Sequence, residues 1–159
     1  MKLYSFDNEA NTSADEFFMK EAYKEALLAL EAGEIPIGAV IVANGKVIGR
    51  GHNLTERLND VTAHAEMQAF TAASHYIGAK YLHNCTLYVT VEPCVMCAGA
   101  SYWTQISRIV FGAYDVQRGF SRLNQNVLHP KTQCVGGIMQ EKCGELLKDF
   151  FIKKRINKT

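Results

Sequence analysis

The dipeptide Asn44-Gly45 stands between two apolar, β-prone runs, residues 37–43 and 46–53. A two-residue hairpin turn needs positive φ at both central positions, which Asn and Gly adopt at least cost, so the stretch predicts a tight antiparallel hairpin. A lone hairpin is marginal in water and must join a larger sheet. Residues 85–91 supply a partner: Cys85, Leu87, Val89 and Val91 alternate with Thr86, Tyr88 and Thr90, the period of a strand. Residues 107–111 read as another strand. Between them lies an apolar helical segment, 93–103, opened by Pro93 at a position whose N–H has no intrahelical partner to lose. A hairpin combined with strand–helix–strand order implies a mixed sheet with helices on both faces. The expected fold is α/β, a three-layer α/β/α sandwich.

The covering helices follow from spacing. Ser13 and Glu16 form a capping-box pair that predicts a helix start at Ser13. Phe18, Ala22, Ala26 and Leu30, with Met19, Tyr23 and Leu27 beside them, form its expected inner face. Glu16, Lys20, Glu21, Lys24 and Glu25 fill the outer one, and Gly33 is the stop. A second helix is expected over 62–77, ended by Gly78. A last one over 139–155 carries Cys143, Leu146, Leu147, Phe150 and Phe151 inward. Residues 114–133 show no period. No break in composition divides the chain, so residues 1–159 read as a single domain. Residues 1–12 form its polar leader, and 139–159 its C-terminal helix with a basic tail.

Composition removes several classes of function. Of 159 residues, 48% are hydrophobic and 21% charged, which excludes a disordered or low-complexity chain. A domain of this size buries roughly 70% of its unfolded surface and folds without a structural metal, so a metal here needs a chemical reason. The net charge of +1 does not indicate a strongly basic nucleic-acid binder, although it allows a local basic patch. The longest apolar stretch, 35–43, falls far short of the ~20 residues of a membrane span, and residues 1–14 lack the apolar core of a secretory signal. No membrane partner is expected. Five cysteines, an odd count, read as reduced thiols in a cytoplasmic protein.

Two segments carry chemistry: Thr62-Ala63-His64-Ala65-Glu66 and Pro93-Cys94-Val95-Met96-Cys97. On an ideal helix Cys94 and Cys97 lie about 60° apart and leave the same side. The helix N-terminus favours their thiolates, the form that binds metal. With neutral His64 they make a soft N/S donor set suited to Zn²⁺, and three protein ligands leave the fourth position open, the catalytic arrangement. Glu66 is then placed to take a proton from water at the open position and return it to a substrate nitrogen. Residues two apart on a helix diverge by about 200°, so His64 and Glu66 converge only if His64 sits at the frayed start or Glu66 reaches back. A Cys-x-x-Cys pair alone also fits a redox dithiol or half of a structural zinc site. The redox reading leaves His64 and Glu66 unexplained, and the structural one lacks a fourth ligand. Cys85, Cys134 and Cys143 sit in apolar or irregular contexts and read as small core residues.

The His-x-Glu and Pro-Cys-x-x-Cys pair resembles that of the cytidine deaminase-like zinc deaminases. Within that superfamily the chain is similar to the bacterial tRNA-specific adenosine deaminases. The likeness runs over residues 15–155, through Gly33-Glu34-Ile35-Pro36-Ile37-Gly38-Ala39, residues 62–66, 87–99 and 108–113, and Asp149-Phe150-Phe151. The resemblance implies a five-stranded mixed sheet, a zinc cofactor, a homodimer, and hydrolysis of wobble adenosine to inosine in a tRNA anticodon stem-loop, with no DNA partner. His64, Cys94 and Cys97 would hold the metal and Glu66 would be catalytic. Asn53, Ile37 and Asp115 would contact the target nucleoside. Phe151, Lys153 and Lys154 would touch the RNA, although cations at a helix end also offset its dipole. Glu92 would only support the ligands. The chain departs from the family at Ala113-Tyr114-Asp115, where members often carry Ala-Arg-Asp, and at Gln117–Arg122, where they carry a Lys-Thr-Gly run. Arg118 and Arg122 could replace the missing charge. Two other readings remain open: a deaminase of a free base or nucleoside (guanine, cytosine or cytidine), and a zinc-containing RNA-binding subunit without catalysis.

Overall fold

The computed structural model describes residues 12–158; the expected polar leader lies almost wholly outside them. The chain runs α1 (Thr12–Glu31), β1 (Gly38–Ala43), β2 (Lys46–His52), α2 (Ala65–Ile77), β3 (Cys85–Val91), α3 (Val95–Thr104), β4 (Arg108–Ala113), a short 3₁₀ turn (Phe120–Arg122), β5 (Gln133–Val135) and α4 (Gln140–Ile156). The strands form one sheet of order β2-β1-β3-β4-β5. β1 pairs antiparallel with β2 and β3, whereas β3–β4 and β4–β5 are parallel. The turn at Asn44 (φ 50°) and Gly45 (φ 71°) adopts the expected doubly positive geometry.

Each face of the sheet has its own core. Alternate strand residues Ala39, Ile41, Leu87, Val89, Ile109 and Phe111 meet Ala65, Ala69, Phe70, Ala73 and Ala98 of α2 and α3. Their neighbours Val40, Val42, Tyr88, Val110 and Val135 meet Met19, Ala22 and Cys143 of α1 and α4. This is the expected three-layer α/β/α sandwich on a mixed five-stranded sheet. Two glycines set how closely the helices seat. A Cβ on Gly38 would lie 2.1 Å from the Ala22 carbonyl of α1, and one on Gly51 would lie 2.3 Å from the Ala65 carbonyl of α2. Backbone therefore packs on backbone where the site-bearing ends of these elements meet.

Five details correct the sequence reading. Ser13 is already helical, so it does not cap α1. The buried stripe of α1 is Asp15, Met19, Ala22, Glu25, Ala26 and Ala29, while Leu27, Leu28 and Leu30 face outward. The small side chains lie on the face that must approach Gly38. The two acids are tolerated inside because each finds donors. Asp15 takes both arms of Arg108 (2.7 and 2.8 Å) and the Tyr88 hydroxyl (2.9 Å), and Glu25 takes His52 (3.2 Å). The helices α2 and α3 begin at Ala65 and Val95, later than their sequence patterns predict. β5 (Gln133–Val135) begins only at the end of the aperiodic 114–133 region and shows no sequence period, because only three residues pair. Lastly, α4 buries Cys143 alone; Leu146, Leu147 and Phe150 are half-buried and Phe151 is exposed.

Candidate active site

Two helix N-termini meet at the carboxyl ends of β3 and β4, the edge where open α/β sheets place their ligands. Ahead of α2 the chain is held extended. Asp60 accepts hydrogen bonds from the Thr62 amide (2.8 Å) and hydroxyl (2.7 Å), and His64 takes φ −73°, ψ 158° as the N-cap. Ahead of α3, Cys94 does the same at φ −70°, ψ 171°. Each helix thus offers one side chain from its extended cap and one from its first turn: His64 with Glu66, and Cys94 with Cys97. The 200° divergence that an ideal helix would impose on His64 and Glu66 does not arise, because His64 is outside the helix.

His64 Nδ1 lies 3.6 Å from each of the Cys94 and Cys97 sulfurs, and the three donor atoms fall within 4.8 Å of one another. A tetrahedral zinc with Zn–S of about 2.3 Å and Zn–N of about 2.0–2.1 Å requires N···S edges of about 3.6 Å. The donor set and its spacing fit zinc. Among the described residues no fourth His, Cys, Asp or Glu donor joins the cluster.

The local charges fit the same purpose. A hydrogen bond from Cys97, aided by His64, holds the Cys94 thiol down at about 4, so Cys94 is a thiolate at neutral pH. The same bond to Cys94, together with burial, pushes Cys97 well up, so it keeps the proton of the pair. The Cys94 thiolate in turn raises His64. A divalent cation takes the place of these protons on binding. Glu66 is 4% exposed, and burial raises its carboxyl above the ordinary range, with the Cys94 charge adding to the effect. A carboxyl tuned upward suits proton transfer in both directions near neutral pH.

These groups open onto a cleft of about 1170 Å³. Ile37, Asn53, His64, Glu66, Cys94, Asp115, Phe151 and Lys154 all line it; Lys153 is exposed on α4 but does not. Asp115 also shapes its own loop, accepting from the amides of Gln117 (3.1 Å) and Arg118 (3.0 Å). That loop is docked on α3: Cys94 bridges Gly119, and Phe120 N donates to Pro93 O (2.9 Å). Glu92 clamps it from beneath, accepting from the Ser121 amide (3.1 Å) and hydroxyl (2.9 Å). The sequence reading did not single out Thr55, and gave Arg155 and Lys158 no specific place, yet all three line the cleft with Arg118. It quoted Glu34 only within a motif. A buried acid in a turn is the signal that could have marked Glu34. Cys134 and Cys143 stand apart, their thiols pushed up to about 12 and about 11 by burial, and Cys85 is likewise buried.

Residues 12–113 match the cytidine and deoxycytidylate deaminase zinc-binding region. The chain is 45% identical over 149 residues to the tRNA-specific adenosine deaminase of Bacillus subtilis (strain 168), covering 91% of this chain and 92% of that protein. It is 42% identical over 147 residues to the tRNA-specific adenosine deaminase of Aquifex aeolicus (strain VF5), covering 89% and 97%. A solved structure from studies of A-to-I editing by tRNA:A34 deaminases at the wobble position superimposes with a TM-score of 0.78 at 40% identity, over 82% of this chain and 99% of that one. A guanine deaminase structure from Bacillus subtilis gives 0.60 at 42% identity, over 62% and 64%.

Proposed function

The chain belongs to the tRNA-specific adenosine deaminases, a branch of the cytidine and deoxycytidylate deaminase zinc-binding family, and from that premise we propose that it converts the wobble adenosine of a tRNA anticodon stem-loop to inosine, releasing ammonia. The observation that carries the proposal is the meeting of His64, Cys94 and Cys97 beside buried Glu66 at the bottom of a cleft with a cationic rim.

Three residues would hold the metal: His64 through Nδ1, Cys94 and Cys97 through sulfur. Bound zinc supplies a water acidified to near neutral pH and a Lewis acid beside the reacting carbon. The protein's own groups do the rest. Glu66 takes a proton from the attacking water and delivers it to adenine N1 as oxygen joins C6. It then takes the remaining proton from the hydroxyl now on C6 and passes it to the exocyclic nitrogen; the C6–O bond becomes a carbonyl as the C6–N6 bond breaks, and ammonia leaves. Ile37 supplies an apolar wall for the base, and the amide of Asn53 addresses the nucleoside by hydrogen bond. Asp115 is assigned a nucleoside contact at the cleft mouth. Arg118, Lys154, Arg155 and Lys158 line the same cleft and suit backbone phosphates; Phe151 offers a ring to an unstacked base. Lys153, outside the cleft, is assigned a more distant phosphate.

A homodimer is proposed on the outer surface of α3, where Val95, Tyr102 and Trp103 are exposed, Trp103 to 77%. Light scattering at two concentrations reads this directly. The cytoplasm, where tRNA and reduced thiols coexist, is the proposed location; no described helix is long and apolar enough to cross a membrane.

The guanine deaminase likeness favours a second reading, deamination of a free base. The deciding experiment incubates the protein with an anticodon stem-loop bearing wobble adenosine and, in parallel, with free adenosine, guanine and cytidine. Inosine formed in the stem-loop alone is the expected result. Turnover of guanine alone moves the enzyme to the second reading.

A further inference from the structure

Glu34, 1% exposed in the turn between α1 and β1, is the most deeply buried acid beside the cleft that the chemistry does not use. Its side-chain hydrogen bonds all go to one stretch on the far side of the hairpin. Oε2 accepts from Asn53 Nδ2 (3.3 Å), Thr55 Oγ1 (3.5 Å) and the Glu56 amide (3.2 Å), and Oε1 accepts from the Arg57 amide (2.7 Å). Among the described residues no Lys, Arg or His forms an ion pair with it. A buried carboxylate held only by dipoles is costly unless its donors are fixed in place. The donors gathered here are those that shape the cleft wall.

The rest of the loop is tied to this anchor. Leu54 N donates to Ala63 O (3.0 Å), Asp60 N to Thr55 O (3.1 Å), and Leu58 N to Leu54 O (2.9 Å), so the path from Asn53 to His64 closes on itself. Asn53 Nδ2 is shared between Glu34 and Thr55 Oγ1 (3.3 Å). A carboxylate can only accept, so it dictates which end of the Asn53 amide turns inward. The NH₂ faces Glu34, and Oδ1 is the atom left for the cleft that Asn53 lines.

We propose that Glu34 is a positioning residue: it fixes the Asn53 amide with its oxygen toward the nucleoside and holds residues 55–57 as the cleft wall. The inference rests on the reading of Asn53 as a nucleoside contact. A glutamine at this position is nearly isosteric but presents one acceptor and one donor where two acceptors stood, so it no longer dictates which end of the Asn53 amide turns inward.

The test is a double-mutant cycle of Glu34→Gln and Asn53→Ala on zinc-loaded protein, read as single-turnover kcat/KM with enzyme in excess. Glu34→Gln should lower kcat/KM by about tenfold to a hundredfold, the range for a hydrogen bond to a charged group, with zinc content and Tm near wild type. In the Asn53→Ala background the same change should cost under threefold, because the group it orients is gone. In the metal-free protein, hydrogen exchange at the Glu56 and Arg57 amides should quicken by about tenfold or more. Costs that multiply fully, a Glu34→Gln enzyme within twofold of wild type, or unchanged exchange would each overturn the proposal. If Glu34→Gln does not fold, Glu34→Asp, which keeps the charge but shortens the reach, enters the cycle under the same criteria. The cycle runs on whichever substrate the wild-type enzyme turns over. Failure on the stem-loop therefore counts against the functional reading, and failure of the cycle counts against Glu34.

Discussion

The metal end of the cleft and its outer rim are built in opposite ways. At the metal end four functional side chains come from two helix N-termini, each placed by an extended cap residue and a first-turn residue, and Glu66 and Cys97 are buried. At the rim, Phe151, Lys154 and Arg155 project from the last turns of α4 beyond its single fully buried residue, Cys143, and Lys158 follows the end of that helix. Arg118 stands on a loop held by Asp115 and Glu92. One end is fixed by backbone geometry and burial; the other is held by a few surface contacts, which suits the large, mobile partner that the proposed function gives it. A centre that performs one proton-coupled reaction needs sub-ångström placement, whereas a rim that neutralises phosphates needs charge within reach.

That division makes the effects of substitution unequal. Cys97→Ala removes one of the three proposed protein ligands, and zinc per chain by elemental analysis should fall from about one to near zero, with activity lost alongside. Glu66→Gln should keep the zinc and the fold yet lower turnover by about 10²–10⁴-fold, the scale of a general acid–base group. A Glu66→Gln enzyme that still turns over within a few-fold of wild type would break the comparison, since the buried end would then not carry the chemistry.

At the opposite end of the sheet, Arg108 at the start of β4 pairs with buried Asp15 of α1. Burial opposes the charge on Asp15, but the hydrogen bonds from Arg108 and Tyr88 outweigh it and hold its carboxyl below the usual carboxylate range. The folded-state pKa is depressed, so this contribution to stability is present above the unfolded value of about 3.9 and is lost as pH falls through the folded value. Asp15→Ala should destabilise by about 3 kcal/mol at pH 7, the low end for breaking a buried pair because Arg108 reaches solvent. The gap between wild type and variant in urea melts should close at acid pH. Activity per folded molecule should stay near wild type.

The smallest effects belong to the rim. Arg118→Ala and Lys154→Ala should each weaken stem-loop affinity a few-fold and reduce the salt slope of binding by about 0.7–0.9, leaving kcat for bound RNA unchanged. A fall in kcat at constant affinity would show that the rim orients the base as well as holding the backbone.

The same contrast explains what the sequence revealed. The hairpin was legible because Asn44-Gly45 is a local signal, and β3 because its alternation is complete. The meeting of His64, Cys94 and Cys97 beside Glu66 was legible because residue type and spacing near helix starts mark such a donor set. Asn53 and Ile37 came through resemblance and do line the cleft. The outward leucines of α1 were misread because helical spacing alone cannot tell which face must pass close to Gly38. Glu25 was misread as outward, and buried Asp15 went unnoticed, because their partners, His52 for the one and Arg108 and Tyr88 for the other, are distant in sequence. β5 has too few residues to show a period. Lys153 was grouped with Lys154 through the resemblance, and only the rotation of α4 separates them, Lys154 lining the cleft and Lys153 not. Glu34 was passed over because its four donors are assembled by the hairpin and the loop after it.

X-ray absorption at the zinc edge of the purified protein addresses the centre most directly. One zinc per chain with two sulfur neighbours at about 2.3 Å and two light donors at about 2.0–2.1 Å is the predicted shell, one light donor being His64 and the other a replaceable solvent molecule. A third sulfur in that shell, or fully active protein that holds no metal, would contradict the account.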